Sequence, residues 1–374
     1  MTADMTGADV RERAAAQADQ VSAEKHRHKN IPVFIPHLGC PNDCVFCNQR
    51  TISGRQFFDE ASVEGQIREA VSTLLPGDTA EIAFFGGSFT GIDRGLMIRL
   101  LSTARGFLSD PSCPVSSVRC STRPDYIDGE ILSILMEYGV GTVELGIQSM
   151  SDSVLEASRR GHTAADTGRA CAMIVGAGLR LGGQMMVGLP GSSPSDERDT
   201  ALAICRMGAC EARIYPTVDF RGTRLCEMTA SGEYAPLTLE DAVARSADLL
   251  EIFDSHGVRV IRTGLCAGES LAAPGEIAAG VYHPATGELA MAEVFRRRME
   301  EAVCREGLVG LPHVTFEVPA GAASRAAGQH RSNIRYLSEK YRIGRIKILE
   351  KSSLIGYNII IHIIDSNFGG CSCI

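Results

Sequence analysis

Three cysteines stand close together in the segment HLGCPNDCVFCNQR, directly after a short apolar run. Cys40, Cys44 and Cys47 follow the spacing C-x3-C-x2-C. Three thiolates on one tight loop can hold three irons of a cubane cluster and leave the fourth iron open. A structural zinc site would need a fourth ligand, and His37 is the one candidate nearby. The spacing therefore favours a 4Fe-4S cluster bound by Cys40, Cys44 and Cys47.

The other ten of the 13 cysteines do not repeat this pattern. Cys371 and Cys373 form a terminal C-x-C pair whose role stays open. The remaining eight are scattered, mostly in apolar company, where a free cysteine behaves as a small hydrophobic residue: Cys113, Cys120, Cys171, Cys205, Cys210, Cys226, Cys266 and Cys304. The odd total argues against the disulfide framework of a secreted protein. We therefore expect a reducing compartment, the cytoplasm.

The composition is that of an ordinary globular protein of 374 residues, with 22% charged residues and a net charge of -8. It excludes a collagenous, coiled-coil or wholly disordered chain. No apolar stretch reaches the roughly 18 residues that cross a bilayer, so we expect no membrane partner. Residues 1–29 lack the pattern of a signal peptide and are predicted to be a disordered tail.

Short apolar runs alternate with segments of helical period from residue 31 onward. This pattern is typical of βα units and a parallel sheet. The predicted strands are 31–36, 81–87, 115–122, 142–148, 179–188, 212–217 and 258–265. The predicted helices between them are 93–108, 128–138, 163–177, 194–207 and 238–256. We therefore predict an α/β fold, a partial (β/α)6 TIM-like barrel.

Polar and glycine residues follow the ends of several predicted strands, at Cys40, Gly86, Thr122, Gln148 and Gly188. In a β/α barrel the carboxyl ends of the strands meet at one face, and that face carries the active site. The same edge should therefore hold the cysteine loop and the residues that act with it.

The pattern changes after the predicted barrel, which spans residues 30–266. Residues 267–324 are predicted to be a connector and a helix, and residues 325–374 a small basic α/β segment that ends in two strands joined by a Ser-Ser turn. Residues 325–351 carry eight Lys/Arg and two acidic residues. Interleaved with Tyr336 and Tyr341, these cations suit RNA, or they form a solvated helix face.

The cysteine loop, with Phe46 before its third cysteine, resembles the radical S-adenosylmethionine (SAM) superfamily. The motifs FFGGSFTGI, CSTRPDYI, ELGIQSM, RRGHTAAD, QMMVGLPGSSPSD and ARIYPTVDFRGTRL follow in order over residues 31–267. Together they are similar to the radical SAM domain of the Elongator catalytic subunit and its stand-alone bacterial relatives. The Elongator subunit spaces its cysteines differently, and its acetyltransferase domain has no counterpart here. Its uridine chemistry therefore cannot simply be transferred.

The resemblance implies an enzyme that binds SAM at the open iron of the 4Fe-4S cluster. A low-potential donor of the flavodoxin or ferredoxin type would reduce the cluster, and SAM would be cleaved to methionine and a 5'-deoxyadenosyl radical that abstracts hydrogen from the substrate. A barrel interior that excludes water would protect such a radical. The implied substrate is a nucleoside in RNA, in particular tRNA, bound with help from the basic C-terminal segment.

The resemblance also implies which residues bind SAM. Gly86 and Gly87 belong to the segment that passes the SAM amino group, with Ser88 and Thr90 as hydroxyl partners. A tight strand-to-helix turn is the alternative for this segment. Ser121 and Gln148 match positions that contact the ribose or methionine groups.

Three further positions are implied in the same way. Arg160 matches an arginine that pairs with the SAM carboxylate, because a guanidinium presents two donors in one plane; the alternative is a surface charge beside Arg159. Gln184 stands where related coproporphyrinogen oxidases have Asp, which weakens a ribose-binding role. Gly188 lies in VGLPG, the segment on the adenine side, although a plain turn would also explain it.

Three polar residues of the later strands could lie in the same site. Arg213 and Tyr215 are predicted to face the pocket, and Glu144 either binds within the site or supports a residue that does. Two other functions stay open. One is the oxidation of a tetrapyrrole or another small molecule, as in the coproporphyrinogen oxidases. The other is an RNA-binding protein whose cluster is structural or sensory.

Overall fold

The computed structural model describes residues 28–35, 38–40, 44–48, 58–265, 276–280, 282–363 and 372–373. Most of the predicted N-terminal tail, His37, Cys266 and Cys371 lie outside these ranges. The side chain of Cys373 is also outside the description.

The strands follow one another in chain order, and most of the early ones are separated by helices. They are β1 (His28–Phe34), β2 (Thr79–Phe85), β3 (Val115–Thr122), β4 (Val140–Gln148), β5 (Arg180–Val187), β6 (Glu211–Pro216), β7 (Val218–Phe220), β8 (Arg259–Thr263), β9 (Ile277–Gly280), β10 (His313–Pro319), β11 (Arg345–Lys351), β12 (Ile360–Ile363) and β13 (Ser372–Cys373).

The described α-helices are α1 (Val63–Ser72), α2 (Arg94–Leu108), α3 (Gly129–Glu137), α4 (Asp152–Ala157), α5 (Ala164–Gly176), α6 (Pro194–Arg206), α7 (Arg224–Ser231), α8 (Leu239–Ser255), α9 (Thr286–Arg305), α10 (Ala323–Ala327) and α11 (Ser332–Tyr341). Two begin with reciprocal capping boxes, in which Thr163 pairs with Asp166 and Ser193 with Asp196. Such boxes satisfy backbone N–H groups that have no partner in the first helical turn, so they fix where these helices start.

The main sheet has seven parallel strands in the order β1-β2-β3-β4-β5-β6-β8. Its two end strands, β1 and β8, do not pair with each other, so the barrel is open on one side. This confirms the predicted α/β partial barrel. The seven predicted strands are all present, with β3 at the predicted bounds.

Alternate residues of these strands lie on opposite faces of the sheet, as the pleat requires. One face is apolar and packs under the helices, with Phe84, Val118, Leu145 and Ile214 in a single hydrophobic core. The opposite, concave face carries charged and polar side chains from β2, β3, β4 and β6. The fold therefore separates a structural face from the face that can carry chemistry.

A second sheet follows the barrel, in the order β11-β10-β12-β13. β10 pairs with β11 in parallel and with β12 antiparallel. The structure therefore differs from the prediction in two respects. β10 lies within residues 267–324, where we expected only a connector and a helix. The two strands near the C-terminus also do not form a hairpin, because β10 lies between them.

Helix α9 belongs to both parts of the molecule. Its Ala290 and Val294 pack in the core of the barrel, whereas its Phe295 and Met299 pack in the core of the second sheet. Across the described ranges, no helix has the length and apolar character needed to span a membrane.

Candidate functional site

The cysteine loop follows β1 at the carboxyl edge of the barrel. Cys44 is buried, Cys47 is half-buried and Cys40 is exposed. The amide of Val45 donates to the carbonyl of Ser158 at 3.2 Å, and its carbonyl accepts from the amide of Leu225 at 2.8 Å. The loop is therefore tied to the ends of two distant helical segments.

Glycines allow this loop to approach the segment that follows β2. A Cβ atom on Gly87 would lie 2.2 Å from the carbonyl oxygen of Leu38, and one on Gly39 would lie 2.2 Å from that of Ser88. Real Cβ atoms do not approach so closely, and Gly39 also has φ of +74°. The cysteine loop and the glycine segment are thus interlocked backbone against backbone.

Side chains join the same two segments. The buried hydroxyl of Ser88 lies 3.1 Å from the sulfur of Cys40. The next hydroxyl along the chain, on Thr90, lies 2.6 Å from that of Thr122 and donates to the carbonyl of Tyr126 at 2.9 Å. Ser88 therefore faces the cysteine loop, while Thr90 ties the segment to the end of β3.

Arg160 is buried behind the cysteine loop, with only 7% of its surface exposed. Its Nη1 donates to the sulfur of Cys44 at 3.3 Å and its Nη2 to the carbonyl of Gly146 at 2.7 Å. Its Nε has no hydrogen-bond partner within the described structure. Arg160 is therefore not the exposed half of a basic pair, whereas its neighbour Arg159 is exposed.

A second buried guanidinium, that of Arg123, lies on the same side of the loop. It makes a bidentate pair with Asp125 at 2.9 and 3.0 Å, and its Nη1 has no partner among the described residues. Burial alone would lower the pKa of the Arg123 guanidinium. Asp125 and the nearby sulfurs of Cys44 and Cys40 outweigh burial and raise this pKa, so the group stays charged. Sequence reasoning did not single out Arg123, although it lies in the motif CSTRPDYI.

His162 lies near Arg160 and Arg123, and sequence reasoning did not single it out either. It is 4% exposed, and neither ring nitrogen makes a hydrogen bond of standard geometry in the described structure. Burial lowers its pKa to about 4, and the positive charge of Arg160 lowers it in the same direction. His162 is therefore neutral at pH 7.

The residues around the loop fit an anionic cluster better than a single metal ion. Within the described ranges, no three His, Cys, Asp or Glu side chains converge on one ion position. The thiolates of a cubane bind different irons, so they need not converge in that way. Two buried guanidinium groups with unused N–H donors would offset the charge of such a cluster and its thiolates.

The predicted SAM-binding residues of the later strands lie at the same edge. The side-chain amide of Gln184 donates to that of Gln148 at 3.5 Å. Gln148 ends β4 with φ of +65°, a conformation that costs about 1–2 kcal/mol in a residue other than glycine. The hydroxyl of Ser121 donates to Glu144 at 3.2 Å.

Glu144 and Arg213 form the floor below these groups. The Nε of Arg213 donates to the Glu144 carboxylate at 2.7 Å, and its Nη1 to the hydroxyl of Tyr215 at 3.3 Å. The guanidinium lies 5.2 Å from the centre of the Phe85 ring. Burial alone would lower the pKa of Arg213, but Glu144 and Tyr215 together raise it by more, so Arg213 stays charged inside the barrel.

A deeper layer of ion pairs closes the barrel on the side away from the cysteines. Arg119 is 3% exposed and binds the carboxylates of Glu81 and Glu211, the latter at 2.8 Å. Glu211 also accepts from Arg180 at 2.9 Å and from Arg259. This layer joins strands that are not neighbours in the sheet, so it fixes the curvature of the barrel from inside.

The turn at Gly188 is held by residues that the sequence did not reveal. Its amide donates to the buried carboxylate of Glu197 at 2.7 Å, and its carbonyl accepts from the hydroxyl of Tyr234 at 2.7 Å. Burial raises the pKa of Glu197, while Gly188 and Arg245 lower it by less. These two hydrogen bonds fix the orientation of the Gly188 backbone at the end of β5.

Two of the remaining cysteines lie on the apolar side of the sheet and not on the face that carries the site. Cys120 and Cys171 are fully buried in the apolar core, and burial raises the pKa of each thiol to about 12. Both are therefore uncharged thiols at pH 7.

Comparison with known proteins relates this geometry to a family. The model of the radical SAM superfamily matches residues 34–204, and that of the radical SAM C-terminal domain matches residues 211–298. Together the two matches account for more than half of the chain.

Curated relatives are similar over the same region. The chain is 29% identical over 239 residues to an uncharacterized protein of Methanocaldococcus jannaschii, a match that covers 61% of this chain and 72% of that one. It is 26% identical over 270 residues to the tRNA uridine(34) acetyltransferase of Dehalococcoides mccartyi, with coverage of 62% and 58%. This chain thus matches little more than half of that acetyltransferase.

A solved structure has the same fold. Elp3 from Methanocaldococcus infernus, with an N-terminal deletion, gives a TM-score of 0.56 at 22% identity and covers 75% of this chain and 63% of its own. The family matches and the open parallel barrel agree with one another. The chain belongs to the radical SAM superfamily and is a radical SAM enzyme similar to the Elongator-type proteins.

Proposed function

We propose that this enzyme modifies a nucleoside in RNA, in particular tRNA, at the carboxyl edge of its barrel. The supporting observation is the cysteine loop, interlocked with the glycine segment and backed by two buried guanidinium groups. Relatives that include a tRNA uridine(34) acetyltransferase and Elongator complex protein 3 of Danio rerio support the choice of RNA.

Cys40, Cys44 and Cys47 are the proposed cluster ligands. When bound there, the 4Fe-4S cluster and SAM supply reductive cleavage of the sulfonium C–S bond and a 5'-deoxyadenosyl radical. Arg160 holds the sulfur of Cys44 and keeps its Nε for a further acceptor, which we propose is the SAM carboxylate.

The remaining residues orient the cofactor. Gly86 and Gly87 bring backbone close to the loop, and Ser88 offers its hydroxyl to the sulfur of Cys40. Ser121, Gln148 and Gln184 offer one hydroxyl and two amides above the Glu144–Arg213 floor, and these are the proposed contacts with the ribose and methionine groups. Gly188 shapes the end of β5 on the proposed adenine side.

The first test measures release of 5'-deoxyadenosine from SAM by anaerobically reconstituted protein with dithionite. We expect the wild type to release it and Cys44→Ala to lose both the cluster and the product. Cys205→Ala, which changes a half-buried cysteine on α6, is the matched control and should keep both. A full cluster in Cys44→Ala would contradict the ligand assignment, and a wild type that holds its cluster but yields no product would contradict the reaction.

The second test addresses the substrate. Modified nucleosides in RNA from deletion and parent cells are compared by mass spectrometry, and we expect one modification to be lost or replaced by its precursor. An unchanged profile would contradict the RNA substrate. Product release that depends on a small molecule and not on RNA would favour the small-molecule alternative instead.

A further inference from the structure

A cleft outside the barrel lies between the outer edge of β11 and the helices α10 and α11. It has a volume of about 560 Å³, within the range of ligand sites. β11 is the end strand of the second sheet, and along the described chain no other strand pairs with its outer side. The cleft therefore presents a row of backbone N–H and C=O groups that another molecule can bind.

The side chains of the cleft divide into an apolar floor and a cationic rim. The half-buried Ile334 and Ile348 supply the apolar surface, whereas Arg331, Arg345 and Lys347 supply the charge. Among the described residues that line the cleft there is no carboxylate, and the nearby Glu350 carboxylate accepts from the amide of Ala323 at 3.2 Å. A ligand that is complementary to both the cationic rim and the apolar floor carries negative charge along one side and flat apolar groups along the other.

The C-terminal unit comprises the second sheet and the helices α10 and α11 (residues 313–363 and 372–373), and its ion pairs leave the charge of the cleft unpaired within the described part of the chain. Arg325 binds Glu288 at 2.8 Å, Lys340 binds Glu300 at 2.6 Å and Lys351 binds Glu317 at 2.6 Å. Each of these acceptors lies outside residues 325–351, so counting charges along that segment overestimates its free charge. Among the described residues, the three cations of the cleft and two others, Arg335 and Arg342, have no ion pair.

The position of Arg331 is fixed by the turn between α10 and α11. This residue and His330 both have left-handed backbone, with φ of 61° and 51°. The buried side chain of Asn333 holds the turn by donating to the carbonyls of Ala292 and Ala326 at 2.8 and 3.1 Å. Arg331 is therefore presented at one wall of the cleft from a rigid turn, opposite the two cations of β11.

We infer that this cleft binds single-stranded RNA, with phosphates at the cationic rim and a base on the isoleucine floor; the inference rests on the proposed function, which makes RNA the substrate. A duplex is too wide to lie between a helix and a strand edge, whereas an unstacked base can be read on its edges by exposed backbone groups.

The test compares two charge-matched double variants of the full chain. The affinity for a labelled single-stranded RNA of about ten nucleotides is measured between about 50 and 200 mM salt. Arg345→Gln/Lys347→Gln should weaken binding about tenfold and reduce the salt slope by about 1.4, since each phosphate contact on a single strand contributes about 0.7. Arg335→Gln/Arg342→Gln removes two exposed cations that do not line the cleft and should change the affinity less than about threefold.

Two further variants separate charge from folding. Arg345→Lys/Lys347→Arg keeps the charge and should retain binding, while Ala327→Leu narrows the cleft without changing charge and should weaken it. An equal loss of RNA affinity in the two Gln double variants would contradict RNA binding at the cleft, while RNA would remain the proposed substrate. A wild type that binds no RNA would overturn both proposals, and equally strong displacement of RNA by polyglutamate would overturn the choice of occupant.

Discussion

The barrel and the C-terminal unit use arginine in opposite ways. In the barrel, Arg119, Arg123 and Arg160 are almost fully buried, and each is held by fixed protein acceptors. In the cleft, Arg331, Arg345 and Lys347 are exposed and have no ion pair in the described part of the chain.

The difference indicates what each group can recognise. A buried guanidinium whose direction is fixed binds one small anion at one position and is little affected by salt. An exposed set of cations binds a long polyanion whose phosphates can shift, and its affinity falls steeply with salt. Three predictions test this contrast, beginning with the largest expected effect.

The largest effect should follow removal of Arg119. Arg119→Met leaves the buried carboxylate of Glu81 without an arginine and removes one of the three arginines that bind Glu211, which should lower the free energy of unfolding by about 3–5 kcal/mol. Urea unfolding of the cluster-free protein measures this change. Arg99→Met, which breaks the exposed pair with Glu60, is the control and should leave the free energy of unfolding almost unchanged. Equal losses would show that the buried layer does not hold the barrel together.

A smaller but more specific effect should follow Arg160→Lys. A lysine cannot reach both the sulfur of Cys44 and the carbonyl of Gly146, so kcat/KM for SAM cleavage should fall about 100-fold, or about 2.7 kcal/mol. The loss should be the same in low and high salt, in contrast to the cleft variants. Arg159→Lys changes the exposed neighbour and should leave the rate unchanged. A similar loss in both variants would contradict a directed role for Arg160.

The smallest effect concerns Glu300, which neutralises Lys340 in the C-terminal unit. Burial raises the pKa of Glu300, but hydrogen bonds from Lys340, Tyr336 and Tyr341 outweigh this and hold it at about 2, below the ordinary 4.5. A lowered pKa stabilises the fold above pH 4.5, and the stabilisation disappears as the pH falls from 4.5 to 2.

Glu300→Gln should therefore cost about 1–2 kcal/mol at pH 7 and almost nothing near pH 2. Urea midpoints over that pH range measure the difference. Glu301→Gln removes a neighbouring exposed carboxylate with distant partners and should cost less than about 0.5 kcal/mol at either pH. A pH-independent loss in Glu300→Gln would mean that packing, and not charge, explains the effect.

Local pattern was sufficient to predict most of the fold. Strands of the barrel are short apolar runs between turn residues, and β3 has the predicted bounds because its apolar run and its neighbours are both clear. β10 was not predicted, because the helical pattern of α9 was the strongest signal in that part of the sequence. Its partners, β11 and β12, lie about thirty and fifty residues away, and pairing over such distances leaves no local signal.

The site was predictable only where spacing along the chain determines chemistry. The three cysteines lie within eight residues, so their order is informative by itself. Arg123 and His162 reach the same place from different strands, and the sheet register decides that they meet. Likewise, nothing in the sequence shows that Glu197 turns back onto Gly188, since that contact depends on how α6 packs.

Helix α9 fixes the distance between the barrel and the C-terminal unit, because its side chains pack in the hydrophobic cores of both. The cleft cannot move far from the carboxyl edge of the barrel without disrupting the packing of one of those cores. An RNA held in the cleft would thus present to the barrel only nucleotides at a set distance along its strand. The choice of the modified position would then depend on the length of this helix as well as on recognition of the base.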